Sequence, residues 1–272
     1  MFDFKTTSKK MHMRSQNKII LFVLLSILSS CDQIKSDKMI IDIVLEADHI
    51  LTMNNKNDIL TGSAIAIDDG IIIDIDTKET IKQNYSAEIN IAGEQRIIMP
   101  GLINGHSHAA MTLLRGIADD KKLIDWLNNY IFPLEQRFVS EEFVRVGTEL
   151  ACWEMIRGGT TTFVDMYFYP DIIAEVASRC GMRALVSSTV SDNQTPNAKN
   201  AQDALINGEN FINSWKEKNS LITPIFGPHA IYSMNLEQLE QTRNLANNLS
   251  VPVSIHLSES QFESEFSTQN YG

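Results

Sequence analysis

The feature that most constrains this chain is a set of four histidines that each follow an apolar run. These are His106, His108, His229 and His256. Short apolar runs rich in β-branched residues predict buried strands. Metal-binding side chains at the carboxyl ends of parallel strands are typical of the active face of an α/β barrel. The pattern therefore predicts strands that bring imidazoles to one edge of a sheet. Four unrelated core or loop histidines are the simpler alternative.

His106 and His108 form a His-x-His pair after the strand predicted over residues 97–104. Residues i and i+2 of a strand point to one face, so both imidazoles can reach a single divalent cation. Neutral imidazole is a preferred ligand of zinc. The pair alone is a weak motif. It gains weight because His256 closes another apolar run and is followed three residues later by Glu259.

An alternation of strands and helices begins at residue 97. Strands are predicted over 97–104, 160–166 and 184–190 and before His229 and His256; helices are predicted over 140–157, 171–180 and 236–248 and within 201–216. Such alternation predicts parallel strands joined by right-handed crossovers. A closed barrel takes about 250 residues and eight strands. We therefore expect an α/β fold in which residues 97–272 form the N-terminal part of a TIM-type (β/α)8 barrel, with about five βα units, in a chain truncated at its C-terminus.

Residues 39–96 precede this pattern and read as a small antiparallel β domain. Short β-rich runs alternate there with turn sequences at 54–58 and 68–70. Runs of this length between such turns are typical of hairpins. His49 lies in this stretch, and we interpret it as a structural or surface residue rather than a ligand.

Residues 1–31 have the pattern of a lipoprotein-type signal segment. Basic residues precede the apolar run 19–28, and small residues precede Cys31. The run is too short to span a bilayer as a stable helix. A lipid on Cys31, with 32–38 as a polar tether, would hold the protein to a membrane that it does not span. We expect an exported, membrane-anchored lipoprotein on the bacterial periplasmic side, which loses His12 with its signal. A cytoplasmic protein with an accidental apolar extension is the alternative.

The composition describes a globular body without a nucleic-acid partner. With 43% hydrophobic and 21% charged residues, the chain is ordinary for a packed fold. The formal charge of −11 opposes binding to nucleic acid, which requires clustered Lys and Arg. Besides Cys31, the chain has Cys152 and Cys180, neither in a C-x-x-C pair. We interpret both as buried apolar residues and do not expect a disulfide framework.

Four motifs together carry a resemblance to a known family. They are PGLINGHSHAAMTLLRGIADD at 100–120, GGTTTFVDMYF at 158–168, GPHAIYS at 227–233 and IHLSES at 255–260. Each is short, but the combination resembles the amidohydrolase superfamily, and within it most closely the 5-methylthioadenosine/S-adenosylhomocysteine deaminases of the chlorohydrolase-like branch. The resemblance covers roughly residues 39–272. It implies a metal-dependent hydrolase built on a TIM-type barrel.

The resemblance also implies roles for the candidate site residues. His106, His108 and His256 would hold one divalent ion, zinc by the imidazole-rich ligand set, with iron as the alternative. Glu259 would protonate the ring nitrogen of the substrate so that the ring can accept the electrons, and ammonia would leave after a second proton transfer. His229 would contact the substrate or the developing oxyanion. Spacing alone favours a simpler role for Glu259, as an acid near a helix N-terminus.

The substrate is the least determined part. Trp126 and Glu135 correspond to family residues that pack on the nucleoside and bind the ribose hydroxyls, and a core Trp and a surface acid are the alternative. No arginine lies between Arg183 and Arg243 to form a bidentate pair with a carboxylate-bearing substrate tail. We therefore expect a neutral adenine nucleoside, such as 5-methylthioadenosine or adenosine, in preference to S-adenosylhomocysteine. Another hydrolysis on the same scaffold, of a chlorinated ring or a cyclic amide or amidine, and a non-catalytic truncated lipoprotein are the alternatives.

Overall fold

The computed structural model describes residues 37–272, which fall into two compact units divided between Pro100 and Gly101. The predicted signal segment 1–31, with Cys31, lies outside the described residues. None of the helices in the described part of the chain is both long and apolar enough to cross a bilayer.

The first unit contains two small sheets. The larger sheet has the order β5-β4-β1-β6, and its strands are β1 (Met39–Glu46), β4 (Ser63–Asp68), β5 (Ile71–Thr77) and β6 (Tyr85–Ile91). The smaller sheet has the order β3-β2-β7, and its strands are β2 (His49–Leu51), β3 (Ile59–Thr61) and β7 (Ile97–Ile98). The antiparallel pairs predicted for this region are present, and the structure adds parallel pairing of β1 with β6 and of β2 with β7.

A short helix, α1 (Lys78–Asn84), gives this unit its core. Its Ile81 is fully buried and packs with a small apolar cluster from the larger sheet, which includes Ile41 and Val44. The helix begins at Thr77, whose hydroxyl accepts a hydrogen bond from the backbone N–H of Thr80, as a capping residue does. His49 is exposed on β2, consistent with its interpretation as a surface residue.

The second unit is organised around a four-stranded parallel sheet. Its order is β11-β10-β9-β8, and its strands are β8 (Leu102–Ser107), β9 (Thr160–Tyr167), β10 (Arg183–Val190) and β11 (Ile222–Pro228). The helices are α2 (Leu123–Trp126), α3 (Phe132–Phe138), α4 (Glu141–Arg157), α5 (Pro170–Arg179), α6 (Ala201–Trp215), α7 (Leu236–Leu249) and α8 (Gln261–Tyr271). A 3-10 helix, Ala109–Leu114, follows β8, and a π-helical turn, Leu127–Ile131, joins α2 to α3.

The predicted helix ends agree with the observed ones because local side chains set them. The Ser140 hydroxyl accepts a hydrogen bond from the Phe143 N–H and starts α4. Asn235 and Gln238 form a reciprocal capping box at the start of α7. These contacts orient the helices that cover the sheet, whose core includes the fully buried Phe163 and Phe226.

Two strands differ from the prediction, and proline contributes to both differences. The strand predicted over 97–104 is interrupted at Pro100, so that β7 and β8 belong to different sheets. The segment 251–256 runs beside β11 but forms only isolated parallel bridges, of Val253 with Phe226 and of His256 with Ala230. Because proline has no N–H to donate, Pro100 and Pro252 each remove a hydrogen bond that a continuous ladder would need.

A candidate metal centre beside a cavity

Three of the four predicted histidines converge at the carboxyl edge of the parallel sheet. One side-chain nitrogen from each of His106, His108 and His256 lies within 4.8 Å of the others. The Nε2 atoms of His106 and His108 are 3.4 Å apart. His106 is exposed, His108 is partly buried and His256 is buried, so the group opens to solvent on one side. Each of the three residues therefore offers one nitrogen within reach of a single ion.

A bulge in β8 produces the convergence of the first two histidines. Asn104 pairs with Phe163 of β9 and Ser107 pairs with Asp165, so three steps along β8 match two steps along β9. One extra residue in a strand disrupts the ladder and turns its side chains. The predicted i and i+2 geometry of a regular strand is thus replaced by a bulged loop that still brings both imidazoles together.

Main-chain carbonyls orient two of the imidazoles. The Nδ1–H of His108 donates to the Met166 carbonyl at 2.6 Å, and the Nδ1–H of His256 donates to the His229 carbonyl at 2.9 Å. A proton fixed on Nδ1 leaves Nε2 as the free acceptor, which is the usual arrangement in metal-ligating histidines. Burial also lowers the pKa of His108 to about 4, so that its ring is neutral near pH 7.

His229 lies beside this group without belonging to it. Its ring centroid is 5.1 Å from that of His256, and its Nδ1 is 2.9 Å from the Ser233 hydroxyl. That hydroxyl donates to the Ala230 carbonyl at 3.1 Å. Because a serine has one proton to give, His229 Nδ1 is the donor to Ser233 and its Nε2 is the free acceptor. Burial lowers the pKa of His229 to about 4, which keeps the ring neutral.

A cavity of about 140 Å³ opens beside His108 and His229. Trp126 and Glu135, the two predicted substrate contacts, both lie on its wall. The indole N–H of Trp126 donates to the Ile117 carbonyl at 3.3 Å, which leaves the ring as part of the wall. Most of the remaining wall is apolar or uncharged, and within the described chain it includes no Lys or Arg.

Glu135 is buried rather than at the surface. Its side chain on α3 is 5% exposed, and burial raises its pKa to about 7, an effect that the nearby Tyr167 hydroxyl opposes. A carboxyl group with little access to water and a raised pKa is typical of functional sites. The surface-acid alternative for Glu135 is therefore wrong.

Glu259 is exposed and lies in the loop before α8. One of its carboxylate oxygens accepts a hydrogen bond from the Tyr232 hydroxyl at 3.0 Å. Its backbone N–H donates to the buried carboxylate of Glu263 at 2.6 Å. It is not part of the described cavity wall. The structure therefore places Glu259 in the loop that follows His256, and its predicted proton-transfer role stays a prediction.

Sequence reasoning missed Asp165, the residue that contacts the loop between the histidines. It lies at the carboxyl end of β9, where it accepts hydrogen bonds from the Ala109 N–H and the Ser107 hydroxyl. Burial raises its pKa to about 7, and these two hydrogen bonds oppose the shift. The signal was weak, since only two apolar residues, Phe163 and Val164, precede Asp165 and the strand continues to Tyr167.

The three converging imidazoles fit a divalent metal ion. Catalytic zinc sites commonly take three protein ligands and keep one position open. His106, His108 and His256 supply three nitrogens, and the Nδ1 anchors of His108 and His256 leave the correct atom free. Imidazole also suits iron, so the ligand set alone does not select the metal.

Comparisons with known proteins identify the relatives of this chain. The amidohydrolase family model matches residues 97–272. Over 231 residues, the chain is 43% identical to a 5-methylthioadenosine/S-adenosylhomocysteine deaminase of Thermodesulfovibrio yellowstonii, covering 84% of this chain and 52% of the relative. It is 47% identical over 179 residues to a 5'-deoxyadenosine deaminase of Methanocaldococcus jannaschii, covering 64% of this chain and 41% of the relative.

A solved structure has the same fold. It is an adenosine deaminase from Xanthomonas campestris with bound zinc, which superposes with a TM-score of 0.83 at 34% identity and covers 86% of this chain and 53% of its own. The predicted α/β barrel-type fold is thereby confirmed. The chain spans about half the length of the curated relatives it matches. Since the family model matches more than half of the chain, the predicted resemblance is also confirmed, and the chain belongs to the amidohydrolase family.

Proposed function

We propose that this protein acts as a metal-dependent hydrolytic deaminase of adenine nucleosides and releases ammonia. The observation that carries the proposal is the convergence of three imidazole nitrogens next to a cavity that contains Trp126 and Glu135. Relatives named as deaminases of 5-methylthioadenosine, S-adenosylhomocysteine and 5'-deoxyadenosine support the choice of an adenine nucleoside.

His106, His108 and His256 would hold the divalent ion, and we favour zinc over iron because the similar adenosine deaminase of Xanthomonas campestris has bound zinc. When bound, such an ion would supply a nucleophile near neutral pH, because it would lower the pKa of a water molecule well below its ordinary value. The carbonyl contacts of His108 and His256 keep their Nε2 atoms in position before any ligand binds. This preorganisation means that binding requires little rearrangement of the side chains.

Glu259 would give a proton to the ring nitrogen of the substrate as water adds to the amine-bearing ring carbon, and a second proton transfer to the exocyclic amine would let it leave as ammonia. The Tyr232 hydroxyl holds the carboxylate by one oxygen, which leaves the other oxygen for the substrate. His229 would contact the bound ring through its unprotonated Nε2. Because that nitrogen is an acceptor, it fits a donor such as an amino group better than a negatively charged oxygen.

We propose a neutral nucleoside as the preferred substrate. An amino-acid tail or a phosphate would bring a negative charge into a cavity whose described wall offers no Lys or Arg. Burying an unpaired charge is costly. Glu135, close to the apolar side chains of the wall, would contact the sugar hydroxyls. Candidates of this type are 5-methylthioadenosine, 5'-deoxyadenosine and adenosine.

The test is an activity assay on the protein extracted with detergent from its own cells and supplied with zinc. Ammonia release and the absorbance change from adenine to hypoxanthine are followed for three neutral nucleosides and for S-adenosylhomocysteine. We expect deamination of at least one neutral nucleoside and a lower kcat/KM for S-adenosylhomocysteine. Equal kcat/KM values for charged and neutral tails would contradict the proposed selectivity. No turnover of any of the four would contradict the deaminase proposal itself.

We further propose that the protein is exported and anchored through a lipid on Cys31. The support is the basic segment, the apolar run and the small residues that precede this cysteine. In cells labelled with a radioactive fatty acid, the protein should carry label and sediment with membranes, and Cys31→Ser should abolish both. An unlabelled protein in the cytoplasmic fraction would refute this.

A further inference from the structure

We propose that Asp165 is a positioning residue for the candidate metal centre, and this inference rests on the proposed metal-dependent function. Its side chain has no exposed surface and lies at the carboxyl end of β9, next to β8 in the sheet. It is not one of the converging ligands, since that group consists of histidines alone in the described chain. Its role would be to hold the loop from which two ligands project.

Asp165 forms hydrogen bonds with the residues on both sides of His108. Its Oδ1 accepts a hydrogen bond from the Ala109 N–H at 2.6 Å and one from the Ser107 hydroxyl at 3.0 Å. The Ser107 proton is shared with the Val164 carbonyl at 2.8 Å, so the Ala109 contact is the firmer one. The residues on either side of His108 are therefore fixed to a single carboxylate oxygen.

The residues of β9 on either side of Asp165 also form hydrogen bonds with this loop. The Met166 carbonyl accepts the Nδ1–H of His108 at 2.6 Å. Three consecutive residues, 164 to 166, thus hold three consecutive residues, 107 to 109, although the ladder between β8 and β9 is interrupted by the bulge. A bulge disrupts the regular ladder, so strand pairing alone does not hold this stretch of backbone. The carboxylate of Asp165 supplies that fixation next to the ligands.

The free-energy cost of burying the Asp165 carboxyl group favours a functional role for this residue. A buried carboxyl is expensive unless its oxygens are paired, and Asp165 Oδ2 has no hydrogen-bond partner among the described residues. A core position that served packing alone would be filled more favourably by an apolar side chain. Residues that orient metal ligands without binding the metal are important for affinity. Their loss typically weakens metal binding by about 10- to 100-fold.

The experiment measures zinc affinity by competition with a chelator, in the parent protein and in three variants. Asp165→Ala removes the acceptor and should weaken binding by about 10- to 100-fold. Asp165→Asn keeps an oxygen at the Oδ1 position and should bind zinc nearly as the parent does. Ser187→Ala is the matched control, because it removes a buried 2.8 Å hydrogen bond to the main-chain oxygen of Asp165 but leaves the carboxylate intact. Its zinc affinity should equal that of the parent.

A second readout separates positioning from general stability. The absorption spectrum of the Co²⁺-loaded protein reports the ligand geometry, and it should change in Asp165→Ala but not in Asp165→Asn or Ser187→Ala. If Asp165→Ala does not fold, Ser107→Ala replaces it, and weakened zinc binding is then expected. Parent-like affinity and spectrum in a folded Asp165→Ala or Ser107→Ala would overturn the inference alone. A parent protein that does not bind zinc would overturn the metal centre itself.

Discussion

The Tyr232 hydroxyl donates a hydrogen bond to the Glu259 carboxylate at 3.0 Å, and this contact joins the loop after β11 to the loop before α8. Burial and the neighbouring Glu259 carboxylate raise the pKa of Tyr232, so the phenol keeps its proton at neutral pH and acts as the donor. The backbone of Glu259 is held separately by Glu263. An exposed acid is thus fixed at two points.

Tyr232→Phe should lower kcat for adenine nucleosides with little change in KM. The variant keeps the ring but removes the hydrogen bond to Glu259, which is worth about 1 kcal/mol, or roughly fivefold in rate. Steady-state kinetics on the zinc-supplied protein measure both constants. Tyr271→Phe, which removes the hydroxyl of a half-exposed tyrosine in α8, is the control and should behave as the parent. An unchanged kcat in Tyr232→Phe would show that Glu259 does not need this contact.

Glu263→Ala should destabilise the protein, and Glu263→Gln should do so much less. The Glu263 side chain is 1% exposed and accepts the Glu259 N–H, so its loss leaves a donor without its partner. The expected cost is about 1 to 3 kcal/mol in the free energy of unfolding. Urea titration measures this, with exposed Glu265→Ala as the control. Equal stabilities of the Ala and Gln variants would rule out the hydrogen bond as the cause.

Glu135 should make stability fall as the pH rises. Burial raises its folded-state pKa from 4.5 to about 7, so the folded protein holds a proton that the unfolded chain releases. The stability that this bound proton gives the folded protein is fully present below pH 4.5 and is lost as the pH passes through about 7. Glu135→Gln should therefore gain stability relative to the parent between pH 5 and pH 8, by at most about 3 kcal/mol. Urea unfolding at both pH values, with exposed Glu141→Gln as the control, checks the sign; a difference independent of pH would contradict it.

Zinc should stabilise the folded protein, and chelation should reverse the effect. At a free zinc concentration about 100 times Kd, the free energy of unfolding should rise by about 2.7 kcal/mol. His256→Asn should lose most of this gain because it removes one of the three converging ligands. The control is His49→Asn, since His49 is exposed on β2, in the other unit. Thermal unfolding with and without zinc decides the matter, and an equal gain in both variants would place the zinc elsewhere.

Local signals made much of this fold predictable. The capping side chains of Ser140 and Asn235 set helix starts that depend on a few neighbouring residues. The histidines could be assigned to one edge because parallel strands bring their carboxyl ends together. The bulge before Ser107 could not be predicted, because it depends on contacts with β9, far away in sequence.

In the candidate site, too, features set by neighbouring residues differ from those that depend on residues distant in sequence. Ser260 and Glu263 have the spacing of a capping box. In the structure, however, Glu263 accepts the N–H of Glu259 rather than that of Ser260. That shift by one residue depends on how the whole loop packs. The partner of Tyr232 was equally hidden, since the two residues come from different loops.

The carbonyl anchors of His108 and His256 have a consequence for how this site tolerates mutation. The acceptors are the main-chain oxygens of Met166 and His229, and every amino acid carries such an oxygen. The side chain at position 166 can therefore drift over generations without disturbing the tautomer of His108, provided that its volume suits the cavity wall. The orientation of these two histidines depends on the backbone conformation, which is retained when individual side chains are substituted.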